Sequence, residues 1–159
     1  MVKKIVIAGC RDYNNYDEAK SYIDFCLSAI RKENNIVIVS GCASGADAIG
    51  ERYAEENGFE IEKYPADWKT YGRSAGPRRN KRMAEVCDYV ICFWDEKSKG
   101  TKSMIDYAIK CNKPVKIKKY EEKRFIVCSN NFVVDMTVAV SEVLNKSLCV
   151  FLISHKPIN

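Results

Sequence analysis

The stretch that decides the fold is Ile36-Val37-Ile38-Val39-Ser40 followed by Gly41-Cys42-Ala43-Ser44-Gly45-Ala46-Asp47. A β-branched apolar run reads as a strand. A loop of small residues follows, and a helical pattern opens at once over Ala46–Asn57, with Gly58 placed to close it as a left-handed C-terminal residue. Strand, tight turn and helix in succession make one unit of a parallel α/β sheet. A loop without large side chains lets backbone N–H groups come close to a ligand, and the helix N-terminus behind it favours an anion. A phosphate is expected here.

Working outward, the same alternation repeats. Residues 4–8 form a short apolar run ended by Gly9, and residues 16–32 carry apolar side chains at helical spacing, at Tyr22, Ile23, Cys26, Leu27 and Ile30. Residues 60–64 alternate polar and apolar positions. Residues 76–86 read as a helix with Pro77 near its start, and Tyr89–Trp94 as a strand apolar on both faces, hence interior. Residues 101–110 and 114–117 give the last helix and strand of the series. Five such units predict an α/β, Rossmann-like three-layer fold with a mainly parallel sheet of at least five strands. Beyond residue 119 the pattern changes: a strand over 125–128, a helix bearing Val133, Met136, Val140, Val143 and Leu144 on one face, and a strand over 148–153. Residues 1–119 are therefore expected to form a nucleotide-binding core. Residues 120–159 are expected to add a C-terminal β-α-β extension packed on the same domain, lengthening the sheet or making the contact of a homo-oligomer.

Composition narrows the function classes. With 159 residues and 47% hydrophobic side chains, the chain has the material for a full core. A net charge of +5 suits an anionic ligand without requiring one. No apolar run approaches the length of a membrane span, and no signal-peptide pattern opens the chain, so a soluble, cytoplasmic protein is expected, with no membrane partner. The eight cysteines are scattered without a Cys-x-x-Cys pair, and His155 is the one histidine, so reduced thiols and no metal site are expected.

In an open parallel sheet, ligands sit beyond the carboxyl ends of the strands. Four segments fall there: Gly9-Cys10-Arg11-Asp12, the Gly41 to Asp47 loop, Gly76-Pro77-Arg78-Arg79-Asn80-Lys81-Arg82, and Ser98-Lys99-Gly100-Thr101-Lys102. Each has a plainer role too. Gly9 turns the chain after a strand. Arg11 pairs with either a ligand anion or a surface carboxylate. Asp47 either contacts a ligand hydroxyl or complements a helix dipole. Gly100 and Thr101 either meet the ligand or belong to a helix cap. A basic run such as 78–82 is ordinarily a solvated face. Opening a helix directly after Gly76-Pro77, it is expected to turn at least one arginine toward the site. Trp94 is expected in the core, whereas Trp68 and Tyr71, in a polar connection, are placed to cover a base or ribose. The Gly-x-x-x-x-Gly-Lys-Ser/Thr loop, the Gly-x-Gly-x-x-Gly fingerprint and a Ser-His-Asp set are all missing.

Taken in order, Gly9-Cys10-Arg11-Asp12, Ser40-Gly41 through Gly45-Ala46-Asp47, Pro65-Ala66-Asp67-Trp68, Gly76-Pro77-Arg78-Arg79-Asn80 and Ser98-Lys99-Gly100-Thr101-Lys102 resemble the YspA/YpsA-like branch of the SLOG superfamily over residues 3–118. The resemblance implies a Rossmann-like fold that binds nucleotides or nucleotide-derived ligands such as ADP-ribose or NAD derivatives, in some members as sensors of nucleotide signals. Its relatives include the LOG phosphoribohydrolases and DNA-processing protein A. Two departures stand out, since this branch commonly carries Ser where Cys10 stands and Gly where Cys42 stands. Both thiols would then lie in phosphate loops near helix N-termini, which lowers a thiol pKa. The LOG pattern Pro-Gly-Gly-x-Gly-Thr-x-x-Glu is matched here only at Gly100-Thr101, and Met104 takes the place of its catalytic Glu. Without that carboxylate, a binding protein is favoured over an enzyme, and no catalytic residue is assigned. The expected function is to bind, and so sense or sequester, a nucleotide-derived ligand. The expected ligand contacts are Gly9, Cys10, Arg11, Asp12, Gly41, Cys42, Ala43, Ser44, Gly45, Ala46, Asp47, Trp68, Tyr71, Gly76, Pro77, Arg78, Arg79, Asn80, Ser98, Gly100 and Thr101, and no further cofactor is identified. The alternatives are an N-glycosidase using Asp47, Asp67, Asp95 or Asp106, and single-stranded nucleic-acid binding through the 78–82 run.

Overall fold

Residues 1–120, 124–129 and 132–137 are described in a computed structural model of the chain. The chain divides into two compact units, Met1–Glu121 and Glu122–Asn159. The first unit runs β1 (Val2–Gly9), α1 (Tyr16–Leu27), α2 (Ile30–Glu33), β2 (Asn35–Ser40), α3 (Ala46–Asn57), β3 (Glu60–Lys63), α4 (Trp68–Tyr71), a 3₁₀ turn (Gly72–Ser74), α5 (Ala75–Val86), β4 (Tyr89–Trp94), α6 (Lys99–Lys110) and β5 (Val115–Lys119). The five strands pair in parallel in the order β3-β2-β1-β4-β5. The expected α/β, Rossmann-like fold is what the chain adopts.

Alternation along β1 divides the core. Ile5 and Ile7 point to one face, where Ile23 and Leu27 of α1 and Ile49 and Tyr53 of α3 cover them. Val6 and Ala8 point to the other, under Met83 and Ala84 of α5 and Met104 and Ile105 of α6. Burial on both faces is why these strands read as continuous apolar runs. Helix α3 lies so close to β1 that a Cβ on Gly50 would come within 2.8 Å of Ile7 Cβ.

Local chemistry sets the element ends. The helix expected over residues 16–32 is two pieces. Ser28 donates its backbone N–H and its hydroxyl to Phe25 O, which tightens the last turn of α1. Helix α6 starts two residues earlier than expected because Ser98 caps it, accepting the Thr101 N–H at 3.4 Å. Gly58 ends α3 with φ +68, as expected.

The second unit contains β6 (Arg124–Ser129) paired antiparallel with β7 (Phe132–Thr137), Cys128 lying opposite Val133. This corrects the helix expected through Val133 and Met136. Val133, Val134 and Thr137 are β-branched, and their stiff side chains suit a pleated strand better than a helix. Val140, Val143, Leu144 and the strand expected over 148–153 lie outside the described residues.

Candidate functional site

Strand order reverses at β1: the chain steps from β1 to β2 and β3 on one side, then returns to β4 and β5 on the other. The loops after β1 and β4 therefore diverge and leave a crevice at their carboxyl ends. A cavity of about 590 Å³ lies there. Gly9, Cys10, Arg11, Asp12, Ala43, Asp47, Trp68, Gly76, Pro77, Arg79, Asn80, Ser98, Gly100 and Thr101 all line it, so residues from all four expected segments meet in one place.

The close approach of these loops depends on glycine. A Cβ on Gly9 would come within 2.8 Å of Ala46 Cβ and collide with the backbone carbonyl of Phe93. Gly45 has φ +73 and abuts the backbone of Cys10 and Arg11. Hydrogen bonds fix the same junction: the Ala46 N–H donates to Cys10 O at 3.2 Å, and Ser44 Oγ donates to Arg11 O at 3.1 Å.

Within the Gly41–Asp47 turn the structure changes the picture the sequence suggests. Two of the N–H groups expected to cradle a phosphate have internal acceptors. The Cys42 N–H donates to Ser40 Oγ at 3.0 Å, and the Ala43 N–H donates to Asp47 Oδ2 at 3.3 Å. Asp47 is itself the anion of the turn, with Arg79 Nη1 3.6 Å from Oδ2. Burial raises the Asp47 pKa, against the pull of the Arg79 charge and of the Ala43 and Gly41 N–H groups. Arg79 also donates to Gly41 O, while its Nε is buried without a partner among the described residues.

The opposite wall is the start of α6. Asp95, one residue past β4, accepts the Ser98 N–H at 2.7 Å, the Lys97 N–H at 3.0 Å and the Cys10 thiol at 3.2 Å. Burial works to raise its pKa, but these backbone donors outweigh it and hold Asp95 below the usual range. Asn80 on α5 donates to Gly100 O at 3.1 Å and ties the two helices together. The N-terminal turn of α6 offers unsatisfied N–H groups and the positive end of a dipole. Cys10 is buried, and desolvation raises its thiol pKa, the reverse of the lowering expected near a helix N-terminus.

Not every expected contact reaches the cavity. Gly41, Cys42 and Ser44 line an adjacent cavity of about 420 Å³ with Pro65 and Ala66. Tyr71 and Arg78 face a third, where the Arg78 guanidinium lies 4.6 Å from the Tyr71 ring and Arg82 lies 5.7 Å from Tyr64. Ala46 is fully buried and packs against the core beside Gly45. Trp94 is half-buried and packs against the core, with its Nε1 donating to Ser98 O at 3.2 Å.

Sequence reasoning passed over Asp95 and Lys99 as ligand contacts, although both follow the fourth strand and the strand-end rule points at them. It also passed over Tyr120, whose hydroxyl donates to Asp12 Oδ1 at 3.1 Å. Nothing local in the sequence joins two residues so far apart. Met104 is buried in the cavity wall, so at this position α6 presents a thioether in place of a carboxylate. No helix among the described residues is long and apolar enough to cross a membrane.

Comparison with known proteins agrees with this fold. The model of the YspA, cpYpsA-related SLOG family matches residues 3–71. The chain is 30% identical over 120 residues to the Gene 61 protein of Mycobacterium phage D29, covering 72% of this chain and 94% of that one. Its fold is similar to the X-ray structure of DNA processing protein A from Streptococcus pneumoniae, with a TM-score of 0.57 and 18% identity. That likeness covers 74% of this chain and 50% of the other, so the chain spans half the length of its structural neighbour. The family match runs through the loops after β1 and β2, and the phage relative is matched over nearly its whole length: the chain belongs to the YspA, cpYpsA-related SLOG family.

Proposed function

We propose that the cavity at the β1/β4 crevice binds a nucleotide-derived small molecule, of the ADP-ribose or NAD-derivative kind, and that the protein senses or sequesters it. One observation carries this reading: residues from four separate loops, including Arg11, Arg79 and the α6 N-terminus, line a single cavity of about 590 Å³. That volume suits a ligand of nucleotide size. Because Asp47 already occupies the Gly41–Asp47 turn, a phosphate in this cavity belongs against the first turn of α6, with Arg11 at the cavity edge over the Trp68 ring. Trp68, half-exposed at the rim, closes the cavity on one side. Of the lining carboxylates, Asp47 is held by Arg79, Asp95 by backbone N–H groups and Asp12 by the Tyr120 hydroxyl, and α6 contributes Met104, which favours holding over cleavage. Mass spectrometry of small molecules released by denaturing the purified protein tests this directly. A stoichiometric nucleotide derivative is expected. Conversion of such a compound to free base by the protein would instead establish an N-glycosidase.

A second reading is single-stranded nucleic-acid binding. The groove lined by Arg78, Arg82, Tyr71 and Tyr64 pairs cations with aromatic rings, a combination suited to phosphates and bases. The fold neighbour is named for DNA processing. Such binding would weaken steeply with salt. Absence of micromolar affinity for an oligonucleotide at low salt removes it.

A further inference from the structure

The main cavity and the Gly41–Ser44 cavity share four wall residues, Arg11, Ala43, Trp68 and Arg79. Ala43 is too small to divide the space, and Arg79 is anchored to Gly41 O and Asp47. The separating groups are thus Trp68 and Arg11, whose guanidinium lies 5.8 Å from the centre of the indole ring. Neither is fixed. Arg11 is exposed and makes no ion pair among the described residues, and Trp68 is 50% exposed. Trp68 rides on α4, a helix of 4 residues that ends at Gly72, where φ is +47 and a Cβ would meet nothing within 4 Å. The ring rests over Gly76, where a Cβ would stand 3.2 Å from it.

We propose that Trp68, with Arg11 stacked on its ring, is a movable partition that determines which ligands the site accepts. The proposal rests on the nucleotide reading above. A ligand confined to the larger cavity leaves Arg11 on the indole. A ligand whose phosphate lies at the junction, with a second lobe beyond it, draws Arg11 off the ring. A guanidinium–phosphate contact is stronger than an exposed cation–π contact, so the exchange is favourable. Trp68 is then released, and the second lobe enters the Gly41–Ser44 cavity. The partition therefore disfavours two-lobed ligands by the strength of the Arg11–Trp68 contact, and removing the indole should lift that handicap. Trp68 here is a specificity-determining residue.

The test is calorimetric titration of the full chain with adenosine monophosphate, which has one lobe, and ADP-ribose, which has two. Tryptophan emission is followed in parallel, with Trp68→Phe as the blank for Trp94. ADP-ribose is expected to change Trp68 emission, and the monophosphate to leave it unchanged. Trp68→Ala is expected to shift the affinity ratio toward ADP-ribose by about threefold, the worth of one exposed cation–π contact. Trp68→Phe, which keeps a ring under Arg11, is expected to hold the wild-type ratio. An unchanged or fallen ratio in Trp68→Ala, an equal emission change with both ligands, or Trp68→Phe behaving as Trp68→Ala overturns the partition and leaves the nucleotide reading standing. Failure of the wild type to bind either compound overturns the nucleotide reading and the partition with it.

Discussion

Cys42 is one of three non-glycine residues, with Glu96 and Asn112, that hold a positive φ among the described residues. Its φ is +57, in the left-handed region that a side chain with a Cβ resists, and its N–H is fixed by Ser40 Oγ. The common Gly at this place in the family thus has a physical reason, and Cys42 holds a glycine conformation under mild strain. Cys42→Gly is expected to stabilise the protein by up to about 1 kcal/mol, the strain relieved less the greater unfolded-state freedom of glycine. Urea denaturation measures it, and a loss of stability would contradict this view of the turn. Cys10 has the opposite character. It is enclosed, hydrogen-bonded to Asp95, and its thiol is made a weaker acid by burial. The two thiols share a neighbourhood in sequence pattern but not an environment.

Among elements, the contact of α3 with β1 sets the depth of the crevice, because the same helix begins at the Gly41–Asp47 turn. Gly50 permits it by lying against Ile7. Gly50→Ala is expected to cost about 1–3 kcal/mol through overpacking, despite the better helix propensity of alanine. Equilibrium unfolding measures this, and a stabilised variant would show that the contact yields freely. The main strands and helices of residues 1–119 were legible because β1, β2 and β4 are buried on both faces and α1, α3, α5 and α6 each bury one set of residues against the sheet. The four loops were legible because strand ends in a parallel sheet point to a common edge. The internal use of Asp47 was not, since which partner a carboxylate takes depends on Arg79 arriving from α5, 38 positions away from Gly41. That Tyr71 and Arg78 line the third groove, apart from Trp68 and Arg79 in the main cavity, depends on helical direction and not on sequence proximity. The helix expected at Val133 failed because apolar spacing alone outweighed the β-branched content that decided β7.

For the whole molecule, titration should bound stability on both sides. Asp88 is held below its ordinary 3.8, first by the Lys4 N–H that it accepts, and Asp95 is also lowered. Groups lowered on folding contribute stability above the unfolded value and lose it as pH falls through the folded one. Asp47, raised by burial, acts in the opposite sense just above 3.8 and softens that limb. At the basic end, burial raises Tyr53 above 10.0 and pushes Tyr89 up to about 12. Unfolded tyrosines ionise first, so stability falls as pH rises above 10.0. Urea midpoints across pH should be nearly level between these limits and drop below about pH 4 and above about pH 10. A midpoint that rises above pH 10 would contradict the tyrosine burial. The central claim, that the loops of this fold hold one nucleotide-derived ligand in the β1/β4 crevice, is tested most directly by titrating the protein with ADP-ribose in a calorimeter, beside Arg79→Lys. Saturable binding at one site per chain is expected, weakened about tenfold or more when the planar fork of Arg79 is replaced by a point charge. Binding of equal strength in the variant, or no heat of binding in the wild type, would contradict it.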